Sequence, residues 1–106
     1  LDSLNSNKII LPLIRNYREH VFHLFVIRVK NRNKLLNFLK KNNVFAGIHY
    51  PIPIHHQPAY KKMLKKKVKL PITEKLSKEI LSLPIYPELS LKKVDLICKL
   101  VNSFFK

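Results

Sequence analysis

The stretch Val21-Phe22-His23-Leu24-Phe25-Val26-Ile27-Arg28-Val29 reads as a β-strand. Most of its residues are β-branched or aromatic, the types that fit a pleated, half-buried surface. Alternation puts Val21, His23, Phe25, Ile27 and Val29 on one face, and Phe22, Leu24, Val26 and Arg28 on the other. Both faces are apolar, so the strand is expected inside a sheet that is covered on two sides. Arg28 stands at its end. It either pairs with a carboxylate or phosphate through its forked guanidinium, or lays its stem along apolar surface with the head in water.

The segments outward from this strand alternate in type. Residues 34–42 form an expected helix, with Asn33 as N-cap, an apolar face of Leu35, Leu36, Phe38 and Leu39, and Lys40 and Lys41 favouring its C-terminal end. Asn43 suits a left-handed stop. Residues 44–49 follow as a second strand. Residues 60–69 hold six lysines and no acid, and read as a short helix fraying into an exposed loop. Pro71-Ile72-Thr73 opens a helix to about residue 83, with Leu76, Ile80 and Leu83 in one stripe. Pro84-Ile85-Tyr86-Pro87 is extended and could add a short strand. Ser90 caps the last helix, Leu89 staples against Val94, and Val94, Ile97, Cys98, Val101, Phe104 and Phe105 keep helical spacing. The expected fold class is thus α/β (α+β), three helices covering a few-stranded sheet. Residues 1–16, with Pro12 blocking helix, read as a linker arriving from something upstream, and residues 17–106 as the domain.

Bulk composition bounds the function. A length of 106 residues makes one domain. The apolar fraction of 46% is too high for disorder. No apolar run reaches the roughly 18 residues that span a bilayer, and residues 1–8 lack the order of a secretory signal. The chain starts at Leu1 rather than methionine, as a cut domain would. Cys98 is the single cysteine; it excludes an internal disulfide, fits a reducing cytoplasm and reads as a small buried apolar residue. The net charge of +15 would attract nucleic acid or an anionic surface. It is equally the product of a lysine- and asparagine-rich composition, or of an acidic partner domain that is missing.

One further segment concentrates chemistry. Residues 47–60, GIHYPIPIHHQPAY, carry the only glycine, three histidines, two tyrosines and three prolines. Proline fixes φ and removes a donor, so this is expected to be a stiff extended loop presenting polar rings, the kind of segment where binding residues concentrate. Gly47 allows a close backbone approach. His49 and Tyr50 can hydrogen-bond and stack on a sugar or flat ring. The plain alternative is a proline-stiffened connection with incidental histidines. No metal site is expected: His20 and His23 diverge on a strand, His55 and His56 diverge if extended, and no zinc spacing is present. Ser90-Leu91-Lys92-Lys93 matches a Ser-x-x-Lys pattern formally but is better read as a cap. The lysine run at 61–69 contains no stacking aromatic, so it reads as a solvated loop rather than a nucleic-acid track.

Four stretches together resemble the C-terminal domain of the DegT/DnrJ/StrS-type sugar-nucleotide aminotransferases, a branch of the fold-type I pyridoxal-phosphate enzymes. They are residues 20–29, residues 47–60 beginning Gly47-Ile48-His49-Tyr50-Pro51, residues 73–84, and Tyr86-Pro87-Glu88-Leu89. The Ile-His-Tyr-Pro-Ile-Pro-Ile-His form looks most like the branch that aminates dTDP-linked 3-keto-6-deoxyhexoses. The resemblance implies transfer of an amino group, usually from glutamate, to a dTDP- or UDP-linked ketosugar, with pyridoxal 5'-phosphate as cofactor. It implies substrate contacts from His49 and Tyr50, and more weakly from His55 and Gln57. It also implies a homodimer with the site at the subunit interface. The family's larger N-terminal domain, with the Schiff-base lysine and phosphate cup, has no counterpart here, so the chain alone is expected to be inactive. Where the family has a Leu-Gly-Tyr turn, this chain has Leu64-Lys65-Lys66-Lys67-Val68-Lys69. The rival expectations are a basic nucleic-acid-binding module, or an inactive gene remnant.

Overall fold

The computed structural model describes residues 3–4, 7–64 and 67–106. The strand expected over residues 21–29 is shorter. It is β1, Phe25–Arg28, and Phe22 before it takes a positive φ of 46° that breaks the extended run. β1 pairs antiparallel with β2, Ile80–Leu83, in the register Phe25↔Leu83, Val26↔Ser82, Ile27↔Leu81 and Arg28↔Ile80. A single antiparallel bridge extends the sheet on each side. Ile10 bonds Arg28 beyond β1, and Gly47 bonds Ser82 beyond β2. These bridges occupy part of the edge backbone that would otherwise stand open.

β2 lies where a helix was expected to continue. α3 spans Pro71–Glu79 and stops there. Ile80-Leu81-Ser82-Leu83 is a short apolar run that fits either period, and tertiary pairing decides it, because β1 needs a ladder partner. Pro84 also disfavours helix at Leu83. The strand expected over residues 44–49 reduces to the Gly47 bridge, and residues 84–87 form no strand. Pro84 and Pro87 cannot donate to a ladder.

The helices lie close to expectation. α1 is Arg32–Lys41 and begins two residues early, so its cap is Asn31 rather than Asn33, with the Asn31 carbonyl accepting the Leu35 N–H. Asn43 adopts φ 59°, and the Val44 N–H reaches back to the Leu39 carbonyl at 2.9 Å, the six-to-one closure of a left-handed helix stop. α2 is Pro58–Met63 and α4 is Leu91–Phe104. Ser90 stands at the N-cap of α4 but makes no side-chain capping bond; its carbonyl accepts the Val94 N–H.

The core lies on one sheet face. Ile27, Val29 and Leu81 meet Leu35 and Leu39 of α1 and Val101 and Ile97 of α4. On the other face Val26, Arg28 and Ile80 are half-buried and only Ser82, opposite Val26, is buried, so the expectation of two fully covered faces holds for one. On this face Arg28 pairs with Glu79 at 2.9 Å, which decides between its two readings. Arg32, at the start of α1, is buried and donates to the carbonyls of Ile80 and Ser77 at the end of α3. Burial lowers the pKa of its guanidinium. Part of the segment read as a linker is fastened down. Leu4 and Ile9 are buried, and Lys8 donates to the Phe105 carbonyl. Cys98 is half-buried and burial raises its thiol pKa, which suits an inert packing residue. No helix among the described residues is long and apolar enough to cross a membrane.

Candidate functional site

Residues 47–60 are not uniformly extended. They leave β2 at Gly47, turn at residues 49–52, tighten into a 3₁₀ turn at Ile54–His56 and enter α2 with Pro58 in its first turn. This divides the ring-bearing residues into two groups.

The first group is His49 and Tyr50. The Gly47 N–H and C=O are both bonded to Ser82, at 2.9 and 2.8 Å, which pins the start of the loop to β2. His49 then folds back over Gly47, and its Nδ1 shares a hydrogen bond of 2.9 Å with Oγ of the buried Ser82. The Tyr50 ring stands edge-on to the imidazole, centroids 5.6 Å apart and 83° between planes, and is 72% exposed. One ring is therefore anchored and the next reaches into solvent, with both at the surface.

Gly47 has a specific reason to be glycine, and it is not a positive φ, since it has none. A Cβ there would lie 2.7 Å from His49 Cε1. Gly47→Ala is expected to swing the imidazole off Ser82 and to leave the buried hydroxyl without its partner. The cost should be about 1–2 kcal/mol, and most of it should vanish in a Ser82→Ala background, as a double-mutant cycle by urea unfolding will show. Ser82 is the site residue that sequence reasoning missed. Its one signal is a lone hydroxyl inside the apolar run Ile80-Leu81-Ser82-Leu83-Pro84.

The second group is His55, His56 and Gln57. His55 is buried at 9% exposure, and its Nε2 lies 3.1 Å from Glu74 Oε1 on α3. His56 Nε2 lies 3.6 Å from the same oxygen, and the two imidazole centroids are 4.1 Å apart. The expectation that these histidines diverge is therefore corrected, because a 3₁₀ turn, unlike a strand, allows neighbouring side chains to converge. The Leu70 N–H also donates to Glu74 Oε1 at 3.0 Å. This backbone bond, then the His55 bond, hold the carboxyl below the usual glutamate range. Gln57 is exposed at the N-cap of α2 and makes no side-chain capping bond. The structure thus brings His49 to Ser82 and His55 to Glu74, and does not join all four expected contact residues in one cluster.

The chain's own residues do not fit a complete pyridoxal-phosphate cradle. An aldimine lysine must be shielded from water to deprotonate readily. Every described lysine is exposed. Of the lysine run, Lys65 and Lys66 lie outside the described residues, Lys61 and Lys62 stand on α2, and Lys67 and Lys69 follow it, all four on the surface.

A small helix-backed sheet with one open face and a ring-bearing loop at its edge defines a lobe that presents side chains rather than enclosing a ligand. The sequence model of the DegT/DnrJ/EryC1/StrS aminotransferase family matches residues 2–102, and the chain belongs to that family. A dTDP-3-amino-3,6-dideoxy-alpha-D-galactopyranose transaminase of Aneurinibacillus thermoaerophilus is 38% identical over 104 residues, 98% of this chain and 28% of the relative. The crystal structure of S. venezuelae DesV in complex with a ketimine intermediate superposes with a TM-score of 0.90 at 30% identity, over 97% of this chain and 28% of that one. NtdA of Bacillus subtilis with bound cofactor PMP superposes with a TM-score of 0.80 at 28% identity, over 94% of this chain and 24% of that one. The family is one of pyridoxal-phosphate-dependent aminotransferases, and the chain spans about a quarter of the length of these relatives.

Proposed function

We propose that the chain serves as the C-terminal lobe of a sugar-nucleotide aminotransferase, supplying contacts to a nucleotide-linked ketosugar from His49 and Tyr50. The observation that carries this reading is the anchored-and-exposed pair. His49 is oriented by Ser82, while Tyr50 projects from the same turn with most of its ring free. A preset imidazole loses little entropy on binding, and a solvent-facing phenol can stack on a ring and donate a hydrogen bond. Gln57 is exposed and open to the same ligand. His55 has its Nε2 engaged by Glu74, and its contribution is to set the loop.

In this reading pyridoxal 5'-phosphate is held by residues outside this chain, in the large N-terminal domain that accompanies this lobe in the family. The cofactor supplies the carbanion chemistry, and the present residues position the sugar nucleotide. The substrate class is a dTDP- or UDP-linked ketosugar, the amino donor is glutamate, the working enzyme is a cytoplasmic homodimer, and the chain alone does not turn over.

The test is a chimera in which the matching 28% of the Aneurinibacillus thermoaerophilus transaminase is replaced by this chain. A folded, cofactor-loaded chimera should aminate that enzyme's own substrate, while the isolated chain should show neither turnover nor an aldimine absorption band. A loaded, folded chimera with no turnover contradicts the reading.

A further inference from the structure

We propose that His55, His56 and Glu74 form a binding site for a borderline divalent metal ion of the Zn²⁺ class, which clamps the 3₁₀ turn onto the first turns of α3. The three ligand atoms, two imidazole nitrogens and a carboxylate oxygen, all lie within 4.8 Å of one another. A tetrahedral zinc with bonds near 2.1 Å holds its ligand atoms about 3.4 Å apart. The separations from Glu74 Oε1 are 3.1 Å to His55 Nε2 and 3.6 Å to His56 Nε2, and so bracket that value. The two imidazole nitrogens lie within 4.8 Å of each other, and closing the triad on an ion requires side-chain rotation that brings them nearer.

Chemistry favours the metal over a purely protonic arrangement. A carboxylate needs one histidine to form a structural pair, and His55 provides it. His56 then aims a second imidazole at the same oxygen, which already accepts the Leu70 N–H. The two ring centroids lie 4.1 Å apart, so both imidazoles, side chains of the kind that most often ligate metals, reach one carboxylate. Glu74 offers the hard anionic ligand and retains its second oxygen, Oε2. Three protein ligands leave a fourth position for water, as in open zinc sites. Burial differs in a useful way. His55 is enclosed with its side chain 7% exposed, whereas the His56 side chain is 41% exposed and gives the ion a path from solvent.

The two elements concerned are distant in the chain but short in themselves. The 3₁₀ turn has three residues and makes few backbone bonds of its own. A shared ion would hold it against α3, and with it the segment that leads back to Tyr50.

The experiment is calorimetric titration of the metal-stripped 106-residue chain with ZnCl₂, alongside thermal melts with and without the ion. The expected result is one Zn²⁺ per chain and a raised Tm. His56→Ala and Glu74→Gln should each weaken binding at least about 10-fold, with an unchanged circular dichroism spectrum. His56→Ala removes a half-exposed ring outside the buried core and should leave the fold intact. A His20→Ala/His23→Ala chain, as a control for the other histidines, should bind as the parent does. The proposal is overturned if the folded chain takes up no stoichiometric zinc. It is equally overturned if uptake survives His56→Ala or Glu74→Gln, or disappears in the His20→Ala/His23→Ala control.

Discussion

Leu39→Ala is expected to destabilise the chain by about 2–5 kcal/mol. Leu39 is completely buried at the centre of the cluster that joins α1 to the sheet. Alanine is the better helix former, so the cost comes from lost burial and the cavity rather than from the helix. Against a total stability of roughly 5–15 kcal/mol for a domain of this size, that is a large share. Urea unfolding should show a lower midpoint with the slope unchanged. Leu36→Ala, at a partly buried position on the same helix, should cost clearly less. The site should feel the change too. The Leu39 carbonyl closes the stop of α1 through the Val44 N–H, and Val44 leads directly to Gly47 and His49. Equal effects of the two substitutions would mean that α1 does not pack on the sheet as described.

Arg32→Ala is expected to cost about 2–3 kcal/mol. The guanidinium Nη1 donates to the Ile80 carbonyl at 3.3 Å and Nη2 to the Ser77 carbonyl at 3.2 Å. These acceptors lie where α3 ends and β2 begins, the partial negative end of the helix. Removing the arginine leaves inward-facing carbonyls without donors and uncouples the start of α1 from that junction. The full strength of two charge-assisted bonds is not expected, because both are long and because Nε is buried with no partner among the described residues. Arg32→Lys should recover part of the loss, since an ammonium can serve one carbonyl but lacks the fork that serves two. A tolerated Arg32→Ala would show that the junction is held by the strand ladder alone.

These two residues illustrate what was legible in the sequence. The stripe Leu35, Leu36, Phe38 and Leu39, and the α4 positions Ile97 and Val101, declare their helices because amphipathic periodicity is a local signal. Asn43 as a left-handed stop and Pro71 at a helix start were equally readable from backbone preference alone, whereas Pro58, read as part of the extended loop, in fact opens α2. β2 was not. Ile80-Leu81-Ser82-Leu83 takes its conformation from β1, more than fifty residues earlier, and nothing local distinguishes it from a helix end. Arg32 was missed for the same reason, since its carbonyl partners are contributed by α3 and β2.

The candidate site divides likewise. His49 and Tyr50 stood out as polar rings in a stiff segment, and the structure puts both at the surface. The role of Gly47 was anticipated as a close approach, but the approaching group is the imidazole two residues on. Ser82, which orients His49, was invisible without the pairing of β2 with the Gly47 bridge. The convergence of His55 and His56 on Glu74 was obscured by treating the loop as extended, when three residues of 3₁₀ turn reverse the geometry.

The most direct measurement is kcat/KM for the nucleotide sugar in the transaminase chimera carrying His49→Ala. A lost substrate hydrogen bond of on the order of 1.4 kcal/mol predicts a fall of about 10-fold, with cofactor loading unchanged. A kcat/KM equal to that of the unsubstituted chimera would contradict the assignment of this loop to the substrate.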